Sequence, residues 1–93
     1  MVGTSDGRIR LRAGVEWRSV SGEVVALDLE SSAYLAVNGT GSILWALVAS
    51  GATPARLVDE LLTRYDIGPE EARRDVDAFL DSLRSLSLVE EAG

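Results

Sequence analysis

Ser31–Trp45 reads SSAYLAVNGTGSILW, and the change of period inside it decides the fold. Ala33-Tyr34-Leu35-Ala36-Val37 carries no charge, proline or glycine and reads as a strand. From Ile43 onward the apolar residues recur at helical spacing: Ile43, Leu44, Leu47 and Val48, with Trp45 beside them. Asn38 is expected to end the strand and cap a helix starting near Thr40, its side-chain oxygen taking an orphan backbone N–H. Gly51 is expected to stop that helix.

Toward the N-terminus the pattern stays β. Val15–Val20 (VEWRSV) alternates, and Glu23–Leu29 (EVVALDL) places Val25, Leu27 and Leu29 on one face. Ser21-Gly22 between them fits a tight hairpin turn. A second turn, Glu30-Ser31-Ser32, leads into Ala33–Val37, which makes a three-stranded meander. Arg8–Arg12 (RIRLR) alternates and fits either a short strand or an ordered arm. Residues 1–7 are small and polar and are expected to fray.

Toward the C-terminus the pattern is α. Thr53-Pro54 is a start signal, with Thr as cap and Pro at the first helical position. Leu57, Val58, Leu61, Leu62 and Tyr65 share the face that follows. Gly68-Pro69-Glu70-Glu71 opens a third helix, its acids placed well for the helix dipole. Ala72, Val76, Phe79, Leu80, Leu83 and Leu86 form its stripe. Leu88-Val89 is expected to tuck back, and Glu90-Glu91 to be a solvated tail. The order β-β-β-α-α-α predicts an α+β, winged helix-turn-helix-like domain spanning residues 1–93: a three-stranded antiparallel sheet followed by three helices.

A chain of 93 residues buries only about 60–65% of its unfolded surface, which leaves little room for both a core and a deep pocket. The sequence has no Cys and no His, which removes thiolate nucleophiles, disulfides, zinc sites of the usual kind and the commonest general base. Absence of Cys fits the cytosol. The start, MVGTSDGRIRLR, lacks the apolar core of a signal peptide. The longest apolar run, Ile43–Ala49, is far short of the roughly 20 residues that span a bilayer. The sequence therefore predicts a cytoplasmic protein with no membrane partner.

Carboxylates are the plentiful reactive groups. Asp77 and Asp81 are i,i+4 neighbours with Asp75 nearby, but a solvated helix face explains them better than a metal or acid pair. Asp59 and Glu60 point to different sides. No Ser has a visible base, and NGTGS lacks the Lys and spacing of a phosphate loop. The expectation is no enzyme, no catalytic residue, no metal and no cofactor.

The architecture also invites a DNA-binding regulator as the alternative. The candidate recognition helix, Pro69–Leu86, sets Glu70, Glu71, Asp75, Asp77 and Asp81 against Arg73, Arg74 and Arg84. With a net charge of −6, that is the wrong sign for phosphate contact, so no nucleic-acid partner is expected. Arg8, Arg10 and Arg12 offer a basic arm, for which plain solvation is the simpler reading.

The remaining signal is the bare strand. In a meander Glu23–Leu29 is central, so Val15–Val20 and Ala33–Val37 are edges. Natural edges are blunted by charge, proline or a bulge. The first carries Glu16 and Arg18; the last carries nothing. Either a helix or RIRLR covers it, or it pairs with another copy of the chain, or it takes an extended peptide by strand addition.

These residues carry a resemblance. VVALDLESSAYLAVNGTGSILWALV, then DELLTRYDI and DVDAFLDSLRSLSLV, are similar to the PqqD-like family, the leader-peptide recognition domains of ribosomally made, post-translationally modified peptides. The likeness runs from about Val15 to Val89 and rests on three anchors in order: YLAVNxTG entering a helix, DxLLxxY, and DVxxFLxxL. Ser87-Leu88 stands where the family usually has a glycine before its last Leu-Val. The resemblance implies three strands then three helices, and a precursor leader bound as an extra strand in a groove between the third strand and third helix. Carried onto this sequence, the implied peptide-binding residues are Ala33, Tyr34, Leu35, Ala36 and Val37 with Asp75, Val76, Phe79, Leu80 and Leu83. Part of that helix stripe is expected to be ordinary core, as are Leu27 and Leu29. A free-standing domain of this size most resembles the recognition proteins of lasso-peptide pathways. There the partners are the precursor leader, with Tyr, Pro and Leu anchors, and a separate leader peptidase of cysteine-protease type.

Overall fold

The computed structural model describes residues 7–91; the expected fraying of residues 1–6 lies outside them. β1 (Ile9–Leu11), β2 (Val15–Val20), β3 (Glu23–Asp28) and β4 (Tyr34–Asn38) lead into α1 (Thr40–Ser50), α2 (Pro54–Arg64) and α3 (Pro69–Ser85), and β5 (Val89–Glu91) follows. β2, β3 and β4 form the antiparallel meander with β3 central. The fold is α+β, with the three-stranded sheet preceding the three helices as the periodicities predict.

RIRLR forms a strand over Ile9–Leu11, and Glu90-Glu91, solvent-exposed as expected, belongs to a strand rather than a tail. β1 and β5 pair antiparallel as a second, two-stranded sheet, with Ile9 opposite Glu91 and Leu11 opposite Val89. Ile9 is buried and exchanges both backbone hydrogen bonds with Ala52 between α1 and α2, at 2.7 and 3.1 Å. The arm is therefore spent on the C-terminal strand and the helix connection, and it does not cover β4.

Two local readings are corrected. Asn38 does not cap α1; it is the last residue of β4, and the cap is Gly39 at φ 57°, ψ −127°, with no side-chain cap bond. That conformation is open to glycine and closed to most side chains. Gly41 in the first turn sits so close to β4 that an added Cβ would lie 3.0 Å from the Val37 Cβ. Ser42 then donates its hydroxyl to the carbonyls of Gly22 and Val37, at 2.7 and 3.2 Å. Helix α1 is thus seated by close approach and a serine clamp. Thr53 behaves as predicted: its hydroxyl accepts the Arg56 N–H at 3.1 Å, with Pro54 opening α2.

The second correction concerns the phase of β3. Val24, Ala26 and Asp28 are buried, whereas Leu27 and Leu29 are 38% and 63% exposed. Apolar counting favours the opposite face because Asp28 spoils the pattern of the inward one. Its carboxylate is inaccessible to solvent but is met by donors from Arg12, Ser31 and Glu30, which is what makes a buried charge tolerable. Against the inward face pack Leu44, Trp45 and Val48 of α1, and the core continues through Leu57 and Leu61 of α2 to Ala72, Val76, Leu80 and Leu83 of α3. Trp17 of β2 meets Trp45 edge-on, with ring centroids 6.1 Å apart.

Candidate peptide-binding edge

The register of β4 decides which groups its outer edge presents. Asp28 donates its N–H to the Ala33 carbonyl at 2.9 Å. Opposed residues in an antiparallel pair alternate between hydrogen-bonded and non-bonded. With Ala26 opposite Leu35 and Val24 opposite Val37, Ala33, Leu35 and Val37 direct their backbone groups toward β3. Tyr34, Ala36 and Asn38 direct theirs the other way. Among the described residues no strand pairs with that side of β4.

Side chains follow the same parity. Leu35 and Val37 are half-buried on the helix side and pack on the core, as does Ala33 at the strand's start. Tyr34 and Ala36 are exposed on the other face, Tyr34 at 61%. Tyr34 lies opposite Leu27 and Ala36 opposite Val25, so an apolar strip runs from the edge onto the sheet's outer face. Backbone groups of Tyr34 and Ala36 thus belong to the edge, and their side chains to an exposed apolar surface. A strand added here would send alternate side chains toward the helices and toward Tyr34 and Leu27.

The helix residues divide sharply. Val76, Leu80 and Leu83 are buried core. Val76 lines a cleft of about 440 Å³ between α2 and α3, together with Val58, Leu62 and Arg73. Phe79 is half-buried on the core's margin, and Asp75 is exposed. Of the five α3 residues implied as groove walls, Phe79 and Asp75 are accessible to a ligand. Strand register adds what the sequence reading did not place at this edge: the outward backbone of Asn38, and Val25 and Leu27 beside Ala36 and Tyr34 on the outer face. On the acidic helix, Arg84 is committed to Glu91 of β5 at 2.8 and 3.0 Å and to Asp81 at 3.4 Å. This pairing raises the Arg84 pKa and lowers that of Glu91, and it further weakens α3 as a phosphate-contacting surface.

The family profile described as coenzyme PQQ synthesis protein D (PqqD) matches residues 23–89. No curated protein matches the chain. Among solved structures, TbiB1 in complex with the TbiA(beta) leader peptide is 27% identical, superposes with a TM-score of 0.83, and is covered over 98% of its length by 90% of this chain. Lasso peptide synthetase B1 complexed with the leader peptide is 26% identical, with a TM-score of 0.78, covering 88% of this chain and 96% of its own. The profile match takes in β3, β4, all three helices and the first residue of β5, and the chain accordingly belongs to the PqqD family.

Proposed function

We propose that this chain is a non-catalytic recognition protein that binds the leader of a ribosomal precursor peptide by strand addition to β4, in lasso-peptide biosynthesis. The observation that carries the reading is the edge of β4 to which no strand pairs among the described residues, with the backbone groups of Tyr34 and Ala36 facing outward, in a chain similar to two proteins solved with leader peptides. The peptide contacts are Tyr34 and Ala36 through the backbone ladder and the outer face. Leu35, Val37, Phe79 and Asp75 take the helix side; Ala33 frames the start of the strand, and Val76, Leu80 and Leu83 support from beneath. The bound precursor is then delivered to a separate leader peptidase of cysteine-protease type.

The energetics allow it. Tyr34 and Ala36 each offer one N–H and one C=O, and each ladder bond returns roughly 0.5–1.5 kcal/mol. Apolar leader anchors return about 1.5–3 kcal/mol each when buried. Ordering the leader costs on the order of 2–5 kcal/mol. Four such bonds and a few buried anchors together exceed that ordering cost without a deep cavity.

Titrating the isotope-labelled protein with the leader peptide of its cognate precursor should shift the amides of Tyr34, Ala36 and Asn38 and signals of Phe79 and Asp75. Shifts confined to α1 and α2 would overturn the reading.

A further inference from the structure

Asp28 is the one charged side chain buried among the described residues, and it lies outside the proposed peptide contacts. It ends β3. Its carboxylate accepts from the Glu30 N–H at 3.0 Å, the Ser31 hydroxyl at 3.1 Å and the Arg12 guanidinium. The Ser31 oxygen in turn accepts the N–H of Ala33 at 3.2 Å, one residue before β4. The backbone closes the same turn: Ser32 donates to the Asp28 carbonyl at 2.8 Å, and Asp28 to the Ala33 carbonyl at 2.9 Å. Arg12 follows β1 directly, and its own N–H donates to Leu88 at 2.9 Å.

Apart from the Arg12–Leu88 bond, these links converge on the point where β4 begins, and what they control is phase. Side chains and backbone groups alternate along a strand, so a one-residue slip of β4 would exchange Tyr34 and Ala36 with Leu35 and Val37. The apolar character of β4 opposes the slip only weakly, since Tyr34, Leu35, Ala36 and Val37 are all uncharged. The polar turn discriminates strongly: an ionised carboxylate only accepts, and its three neighbours all donate.

We propose that Asp28, Ser31 and Arg12 are positioning residues for peptide recognition, fixing the register of the binding strand without touching the peptide. The proposal rests on the leader-binding reading of β4. It makes the β1–β5 ribbon, through Arg12, part of the recognition machinery.

The test uses the full chain and a fluorescently labelled leader peptide of its cognate precursor. Ser31→Ala removes both the donor to Asp28 and the acceptor for Ala33; Ser31→Thr keeps a hydroxyl. Ser31→Ala should weaken leader binding about fivefold or more, as loss of one net hydrogen bond implies, and Ser31→Thr should restore it. Amide exchange at Leu35 and Val37 should quicken in Ser31→Ala without peptide, while Val48 in the core stays protected. Asp28→Asn should bind at least as weakly as Ser31→Ala; if it does not fold, the serine pair decides. Ser31→Ala binding within about twofold of the unaltered chain, or Ser31→Thr binding as weakly as Ser31→Ala, would overturn the proposal. An unaltered chain that does not bind the leader would overturn the leader-binding reading, and this inference with it.

Discussion

Proline substitution at adjacent positions of β4 separates binding from folding. The Ala36 N–H points away from β3, so Ala36→Pro leaves the β3–β4 ladder intact. A bound strand loses one N–H···O bond, about 0.5–1.5 kcal/mol, and also meets the pyrrolidine ring where its backbone should lie. The combined loss is roughly 1.5–3 kcal/mol, or about 10- to 150-fold in Kd. Leu35→Pro does the reverse. It deletes an inward N–H opposite Ala26 and disturbs a half-buried side chain. Leaving a ladder carbonyl unpaired costs about 1–3 kcal/mol, and each kcal/mol lowers Tm by roughly 4–8 °C in a domain this small. Thermal melts followed by fluorescence anisotropy with labelled leader read both quantities. Ala36→Pro should melt near the unaltered chain and bind weakly; Leu35→Pro should melt markedly lower. A folded Ala36→Pro protein that binds the leader within twofold would refute strand addition. Inverted melting behaviour would refute the register.

Tyr34→Ala should leave stability within about 0.5 kcal/mol, as expected for an exposed side chain, yet reduce leader affinity measurably by anisotropy. Leu80→Ala should cost about 2–5 kcal/mol by chemical denaturation, as for other buried leucines, whereas Phe79→Ala should cost less stability and more affinity. Asp28 is held below its ordinary value of 3.8, chiefly by the Glu30 N–H, then by Ser31 and Arg12, with burial opposing them. A depressed carboxylate contributes stability above its unfolded pKa and loses it as pH falls through the folded one. Unfolding measured from neutral pH down to about pH 2 should therefore lose stability below 3.8, and Asp28→Asn should flatten that loss. Anisotropy with labelled duplex DNA should show no salt-sensitive binding, because α3 presents more acids than bases.

The three strands of the meander and the three helices are legible because each follows one period and is bounded by Gly, Pro or Ser turns. The β1–β5 ribbon is not: strands of three residues have too short a pattern, and their partners lie at opposite ends of the chain. The phase of β3 misleads for a definite reason. A carboxylate occupies an inward position, and only its donors, one of them from as far away as Arg12, make it tolerable there. Asn38 looks like a cap by residue type, yet backbone conformation gives that place to Gly39. At the site, the absence of charge on Tyr34–Val37 exposes the edge from sequence alone. Which of those residues offer backbone groups depends on pairing parity, which composition does not encode. The same limit applies to α3, where Val76, Leu80 and Leu83 share a stripe with Phe79 and only packing tells core from margin.

The ribbon that joins Ile9–Leu11 to Val89–Glu91 holds the two ends of the described residues side by side. A domain with neighbouring ends can be spliced into a surface loop of another protein, or circularly permuted, without stretching its framework. The connection around Gly68, where an added Cβ would meet nothing within 4 Å, is a natural place to reopen such a permuted chain. The described domain thus joins to flanking sequence at one corner, where the β1–β5 ribbon sits.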